Sequence, residues 1–257
     1  MYGSIRLIAV AACAVAVTGF LSASPAGAGS PGPTNAAQVA HSGAVVHPNV
    51  VLTTTYGNGY FSYPGAGNVV SASVTFTAPA FSCAHPADHE WLSPGIWVFD
   101  TDGALSQFSA AEFNCNAGTL FQGDVICVDS YATCDTSLTI NPGDRVVASL
   151  FESSTQTYAK VRNLTTGLSS AVTGAAVTND YTVFLGDLGP SIASVGAVTK
   201  IPTYSSSIHF TKAQVNGMYL SDWSPAHYNL KTSVALQETS SSLTGDGDAF
   251  TATFRHN

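Results

Sequence analysis

Cys83, Cys115, Cys127 and Cys134 are the residues whose spacing speaks most directly to chemistry in this 257-residue chain. Their gaps do not repeat the closely paired Cys or His ligands of a zinc site. Cys13 falls within an expected export leader, and the even number that remains in an exported chain favours two disulfides, for which sequence alone permits three pairings. Among these, Cys127 with Cys134 would clasp a hairpin and Cys83 with Cys115 would make a longer tie. His85 and His89 stand in the run His85-Pro86-Ala87-Asp88-His89-Glu90, which lies between turn signals and reads as a solvated loop rather than a metal site. No Gly-x-Ser-x-Gly elbow presents a serine nucleophile, and His209, flanked by Ile, Phe and Thr, reads as a solvated strand residue. Gly65-Ala66-Gly67 lacks the Lys and following Ser or Thr that cradle a phosphate. No metal and no cofactor is therefore expected. Trp91, Trp97, Tyr219, Trp223 and Tyr228 could stack on sugar rings, although aromatics of a sandwich more often pack its core or rim.

The elements that must position such groups read as strands. Val70, Ala72, Val74 and Phe76 alternate with Ser71, Ser73, Thr75 and Thr77, the two-residue period of a half-buried strand that Pro79 ends. Leu138-Thr139-Ile140 leads into the turn Asn141-Pro142-Gly143-Asp144, after which Val146, Ala148 and Leu150 resume the alternation. Ala159 and Val161 alternate with Lys160 and Arg162, and Phe250, Ala252 and Phe254 with Thr251, Thr253 and Arg255. The segments 96–99, 181–185 and 207–211 are further strand candidates. Long amphipathic helical periods are missing. The pattern predicts an all-β chain, a two-sheet antiparallel β-sandwich or jelly roll of roughly 10 to 14 strands.

Only 9% of residues are charged, with 8 basic against 16 acidic and a net charge of −8. No run of Lys or Arg offers the positive face that nucleic acid or an anionic membrane requires. Arg6, an apolar stretch from Leu7 to Leu21, and Ala26-Gly27-Ala28 form a signal-peptide pattern, with cleavage expected after Ala28. Residues 29–48 read as a flexible amino-terminal arm and 49–257 as the sandwich domain of a secreted, extracellular protein. Asn163-Leu164-Thr165 matches the N-glycosylation tripeptide.

Several stretches together resemble one known family. Tyr56-Gly57-Asn58-Gly59-Tyr60, Val70 to Pro79 followed by Cys83, and Trp97-Val98 with Asp102-Gly103 resemble successive segments of the secreted glutamic peptidases of the eqolisin type. The fullest match is Leu138 to Val147 continuing through Tyr158 to Asn163-Leu164-Thr165-Thr166-Gly167, and Ile208 to Ala213 resembles a late strand of the same family. The resemblance implies a concanavalin A-like, lectin-like sandwich. It also implies an acid endopeptidase acting on polypeptides, in which a Glu activates water as general base and a Gln holds that water and stabilises the oxyanion.

Both family positions are altered here. Counting from Trp97 and Asp102-Gly103, the family Gln falls at Ala111 or Glu112, of which only Glu112 is polar. Asn179-Asp180-Tyr181 resembles the family segment that carries the Glu, with Asp180 in its place. The resemblance thus implies Asp180 as base and later acid, Glu112 as a protonated partner sharing a proton with it, and Tyr181, Trp97 and Tyr56 along the substrate. Gln107 would need a four-residue slip, Gln122 lies beyond Cys115, and these and Asp124 rank below Glu112. The alternative is a non-catalytic extracellular sandwich that binds polysaccharide or protein.

Overall fold

A computed structural model describes residues 51–255 except 55–56, 66–68, 84–89, 117, 129–132, 178–179, 189–200, 202, 205–206, 232–235 and 245. The expected leader and arm, Tyr56, and the His85 and His89 loop lie outside the described residues, and of Tyr181 only the backbone is described.

Eighteen strands and one 3-10 turn (Leu220–Trp223) form the described chain, more strands than the sequence pattern predicts. The first half comprises β1 (Val51–Thr54), β2 (Gly57–Ser62), β3 (Ser71–Thr77), β4 (Phe81–Ser82), β5 (Glu90–Asp100), β6 (Leu105–Asn116), β7 (Thr119–Val128) and β8 (Thr133–Asp135). There follow β9 (Arg145–Glu152), β10 (Gln156–Asn163), β11 (Ser169–Ala175), β12 (Asp180–Leu188) and β13 (Thr203–Tyr204). The chain ends with β14 (Ile208–Val215), β15 (Met218–Tyr219), β16 (Ala226–Lys231), β17 (Leu236–Ser240) and β18 (Phe250–Phe254).

One hydrogen-bonded path runs β11, β10, β9, β3, β14, β18, β17, β16, β2, β12, β5, β6, β7, β8, with β1 parallel to β16, β15 on β14, and β4 paired with β13 apart from it. The path folds back on itself as two facing sheets, and β10 and β11 come to lie over β6, β7 and β8. Ser109 Oγ donates to the Lys160 carbonyl at 2.7 Å across this seam, and Ser170 Oγ to Asp135 at 2.6 Å. The result is an all-β, nearly closed jelly roll.

Alternation places the core. Val74, Phe76, Val146, Ala148, Leu150, Ala159 and Val161 of one sheet are buried against Ile96, Val98, Phe113, Ile126, Val183 and Leu185 of the other. The exposed Phe151 and Tyr158 stand opposite each other on the outer face. The second sheet has a further apolar layer on its other side, where Phe61, Trp97, Phe99, Phe108 and Phe184 pack together. Buried on both faces, β5 and β6 show no period-two pattern, and β6 with β7 escapes a reading based on alternation.

The turns obey local chemistry. Gly143 takes φ +85°, and the neighbouring Asp144 carboxylate accepts the Asn141 N–H at 2.7 Å. Asn163, itself fully buried, donates Nδ2 to Asp144 at 2.7 Å while its Oδ1 accepts the N–H groups of Thr165 and Thr166. The motif Asn163-Leu164-Thr165-Thr166-Gly167 is therefore a structural turn clasped to the preceding one. Its amide nitrogen is already committed inside the protein, so the glycosylation reading of this tripeptide has no accessible nitrogen in the folded chain.

Cys83 is bonded to Cys115 and Cys127 to Cys134, the latter joining register partners on β7 and β8. Closing loops of 32 and 7 residues corresponds to about 4 and about 2 kcal/mol in the chain-entropy account. Such bonds form in an oxidising compartment. No helix among the described residues is long and apolar enough to cross a membrane.

Candidate active site

Two bulges build the site. On β6, Gln107 pairs with Val98 and Leu105 with Phe99, so Ser106 is an extra residue against β5. On β12, Asp180 pairs with Asp100 and Thr182 with Phe99, so Tyr181 is extra on the other side of the same strand. A bulge re-aims the residues around it. Here it turns Ser106, Gln107 and Asp180 towards one another at the end of the sandwich. The turn before β6 is tight because Asp100 Oδ1 accepts the N–H groups of Asp102 and Ala104, each at 2.9 Å.

Asp180 is 1% exposed, and its carboxylate accepts from Ser106 and Gln107 as well as from the Glu152 carboxyl. Ser106 Oγ gives a hydrogen bond of 2.5 Å to Oδ1, and Gln107 Nε2 donates to Oδ2. Gln107 Nε2 also reaches Glu152 Oε2 at 3.2 Å, from the facing sheet. Glu152 follows Val146, Ala148 and Leu150 on the inward side of β9, where its half-buried carboxyl faces Asp180.

Burial dominates the electrostatics of this pair. Desolvation raises Asp180 to about 6, a rise held down by the hydrogen bonds from Ser106, Glu152 and Gln107. Desolvation, and then the charge of Asp180, raise Glu152 to about 8. One proton is therefore shared between the two carboxyls from pH about 6 to about 8.

Glu112 is not brought to Asp180. It follows Gln107 by an odd number of residues on a regular stretch of β6, which turns it to the opposite face. Its neighbour Phe113 pairs with Leu92, whereas Asp180 pairs with Asp100, a separation of about 26 Å along β5 at ~3.3 Å per residue. Burial raises the Glu112 carboxyl, and its hydrogen-bonding neighbours are Asn114 and Trp91. The count along the family pattern from Trp97 and Asp102-Gly103 to Ala111 or Glu112 runs four or five residues past Gln107, the amide that lies beside Asp180. The tight Asp100–Ala104 turn and the Ser106 bulge turn Gln107 towards Asp180.

Trp97 is buried, stacked on Phe108 with ring centroids 4.5 Å apart, on the sheet face away from Gln107. Asp124 is buried as well, and its carboxylate accepts the Leu138 N–H at 2.7 Å, which ties β7 to the segment before β9. Gln122 lies opposite Phe113 on β7. Of the five aromatics that could serve a sugar, Trp91, Trp97 and Tyr228 are buried, Trp223 donates its indole N–H to the Val215 carbonyl, and Tyr219 is exposed. Cys83, Glu90 and Cys115 cluster closely enough to hold a metal, but both sulfurs are spent in one disulfide.

The sequence matches no protein-family model and no curated protein. Solved structures do resemble the fold. Scytalido-glutamic peptidase with a transition state analog inhibitor aligns with a TM-score of 0.58 at 17% identity, over 79% of this chain and 98% of that one. The same peptidase with a peptide-based transition state analog gives 0.56 at 16%, over 78% and 98%. SCP-B, a member of the eqolisin family of peptidases in complex with the tripeptide Ala-Ile-His, gives 0.55 at 17%, over 78% and 98%. The chain thus has the architecture of the glutamic peptidases along nearly their whole length.

Proposed function

We propose that this protein is an exported peptide hydrolase in which Asp180, Glu152 and Gln107 act on a water molecule and a peptide carbonyl. The observation that carries this reading is the Gln107 amide, which hydrogen-bonds Asp180 and Glu152 at once. The likeness in fold to two peptidase structures bound by transition state analogs supports the reaction class.

In this reading the ionised Asp180 takes a proton from water as the water oxygen bonds to the peptide carbonyl carbon. Glu152 gives its proton to the carbonyl oxygen, and the Gln107 N–H stabilises the charge developing there. The tetrahedral intermediate collapses as Asp180 passes its proton to the departing nitrogen. The C–N bond breaks, and the hydroxyl proton returns to Glu152. The step needs one proton on the pair, so the working range lies between about 6 and about 8, above the acidic range that the family resemblance implies.

A second reading follows from burial. Gln107 has no exposed surface and Asp180 almost none, the environment of a group that fastens two sheets rather than one that meets substrate. On that reading the protein is a non-catalytic sandwich and the carboxyl pair is a structural lock.

Digestion of an unfolded polypeptide from pH about 3 to about 9 separates the two. The peptidase reading expects cleavage greatest between pH about 6 and about 8, lowered at least ~100-fold in Asp180→Asn and Glu152→Gln and unchanged in Glu112→Gln. A folded wild-type protein that cleaves nothing across the range leaves only the structural lock. Cleavage equal in all variants assigns the activity to other residues.

A further inference from the structure

Asp187 stands near the other end of β12, facing inward like Asp180, and its surroundings differ. It is fully buried, and apart from the hydrogen bond it shares with the Glu238 carboxyl, neither carboxylate oxygen has a donor among the described residues. Glu238 of β17 is fully buried too, its Oε1 accepts from the Tyr204 hydroxyl, and its Oε2 has no donor outside the pair. Directly opposite Asp187 in the β2 register, on the same face, lies Asn58, fully buried, with neither Oδ1 nor Nδ2 bonded. Unpaired buried polar atoms each cost about 1–3 kcal/mol, and most native ones have partners. Here they gather in one place.

The backbone beside them is shaped for close approach. Gly59 and Gly186 are register partners with φ of +146° and +151°. A Cβ on either would lie 2.3 Å from the Leu185 carbonyl oxygen or 2.2 Å from that of Asn58, so β2 and β12 close tightly only as glycines.

We propose that Asn58, Asp187 and Glu238 form a divalent-cation site that takes Ca²⁺. The donors are all oxygen: both of Asp187, Oε2 of Glu238 and Oδ1 of Asn58. Such a set selects a hard cation over zinc or copper. These four oxygens supply part of the 6–8 that Ca²⁺ takes, with backbone carbonyls or water completing the shell. Mg²⁺, which keeps several waters in a strict octahedron, suits a dry and crowded pocket less well. Two carboxylates also match the ion's charge, so that neither remains uncompensated in the interior. The other titratable or charged groups around the pair are Tyr204 of β13 and Arg255 beyond β18, whose charge reaches Tyr204. At low pH protons replace the ion on the two carboxyls. This site is independent of the peptidase reading.

The test uses the full folded chain, stripped with EGTA. In about 5 mM CaCl₂, above the ~1 mM dissociation constants of weak extracellular sites, the thermal midpoint at neutral pH rises by about 2–4 °C. At pH about 4 the rise disappears. The double variant Asp187→Asn, Glu238→Gln, its fold checked by circular dichroism, shows no rise at either pH. Should that variant not fold, equilibrium dialysis against about 5 mM CaCl₂ decides: close to one bound ion per chain in the wild type, and at least ~10-fold weaker binding in Asn58→Leu. No calcium bound by the wild type, or an equal midpoint shift in the double variant, overturns the site and leaves a proton-sharing pair. MgCl₂ giving the same shift as CaCl₂ overturns the choice of ion.

Discussion

The two ends of β12 place an aspartate in the same interior and treat it in opposite ways. At the first end, Asp180 has Ser106, Glu152 and Gln107 as donors, and its carboxyl rises only to about 6 despite near-complete burial. At the other, Asp187 faces Glu238 and an unbonded Asn58, and desolvation followed by the charge of Glu238 pushes it well above the ordinary carboxylate range. Burial alone therefore does not set the charge of an interior acid. The donors within reach do: Ser106, Glu152 and Gln107 all give hydrogen bonds to Asp180, whereas Asp187 gives its own to Glu238 and holds its proton far longer.

This contrast makes the response to pH the largest expected effect. Desolvation raises Asp180 and Asp124 to about 6, Glu238 to about 7 and Glu152 to about 8, and it raises Asp187 and Glu112 too. The folded chain then holds more protons than the unfolded chain across this range, so stability is fully present below the ordinary carboxylate values and is lost as pH rises through about 6 to about 8. Asp124 alone, raised from 3.8 to about 6, corresponds to about 3 kcal/mol. In calcium-free buffer the unfolding midpoint should fall by at least ~6 °C between pH about 4 and about 9, read by calorimetry. A midpoint that rises over that range would refute the assignment of both ends.

Smaller changes probe each end separately. Gln107→Leu removes the donor shared by Asp180 and Glu152 and should cost about 2–3 kcal/mol in urea unfolding at neutral pH. It should also carry the Asp180 titration, followed by carboxyl NMR, further upward. Asp187→Asn in EGTA at pH about 8 should instead stabilise the fold by about 1–2 kcal/mol, because an amide donor then meets Glu238. A loss of stability in that variant would erase the contrast between the ends. Ser106→Ala should cost about 1 kcal/mol and leave the far end unchanged.

The strands whose outer face meets solvent were legible in the sequence. Ala72, Val74 and Phe76 are buried as their alternation predicts, as are Val146, Ala148 and Leu150, and the turn at Asn141-Pro142-Gly143-Asp144 lies where its residues call for one. Val70, the first residue of that alternating run, is half exposed because it precedes β3. The pair β6 and β7 was not legible, since a strand covered on both faces loses its period. The site was lost for a related reason. Side-chain direction depends on parity along a strand, and the bulges at Ser106 and Tyr181 each reverse it without leaving a signature in residue types. Glu152 did leave one: an acid in phase with Val146, Ala148 and Leu150 on the apolar side of a strand calls for a buried partner.

The clasp between Asn163 and Asp144 has a consequence for how the protein can be made. In a secretory pathway that attaches glycans while the chain is still extended, Asn163 is offered to the transferase before the turn can hide it. A sugar placed there would occupy the nitrogen that later has to reach Asp144 in the interior. Production in such a host becomes a race between turn closure and the transferase, one that a bacterial host never runs.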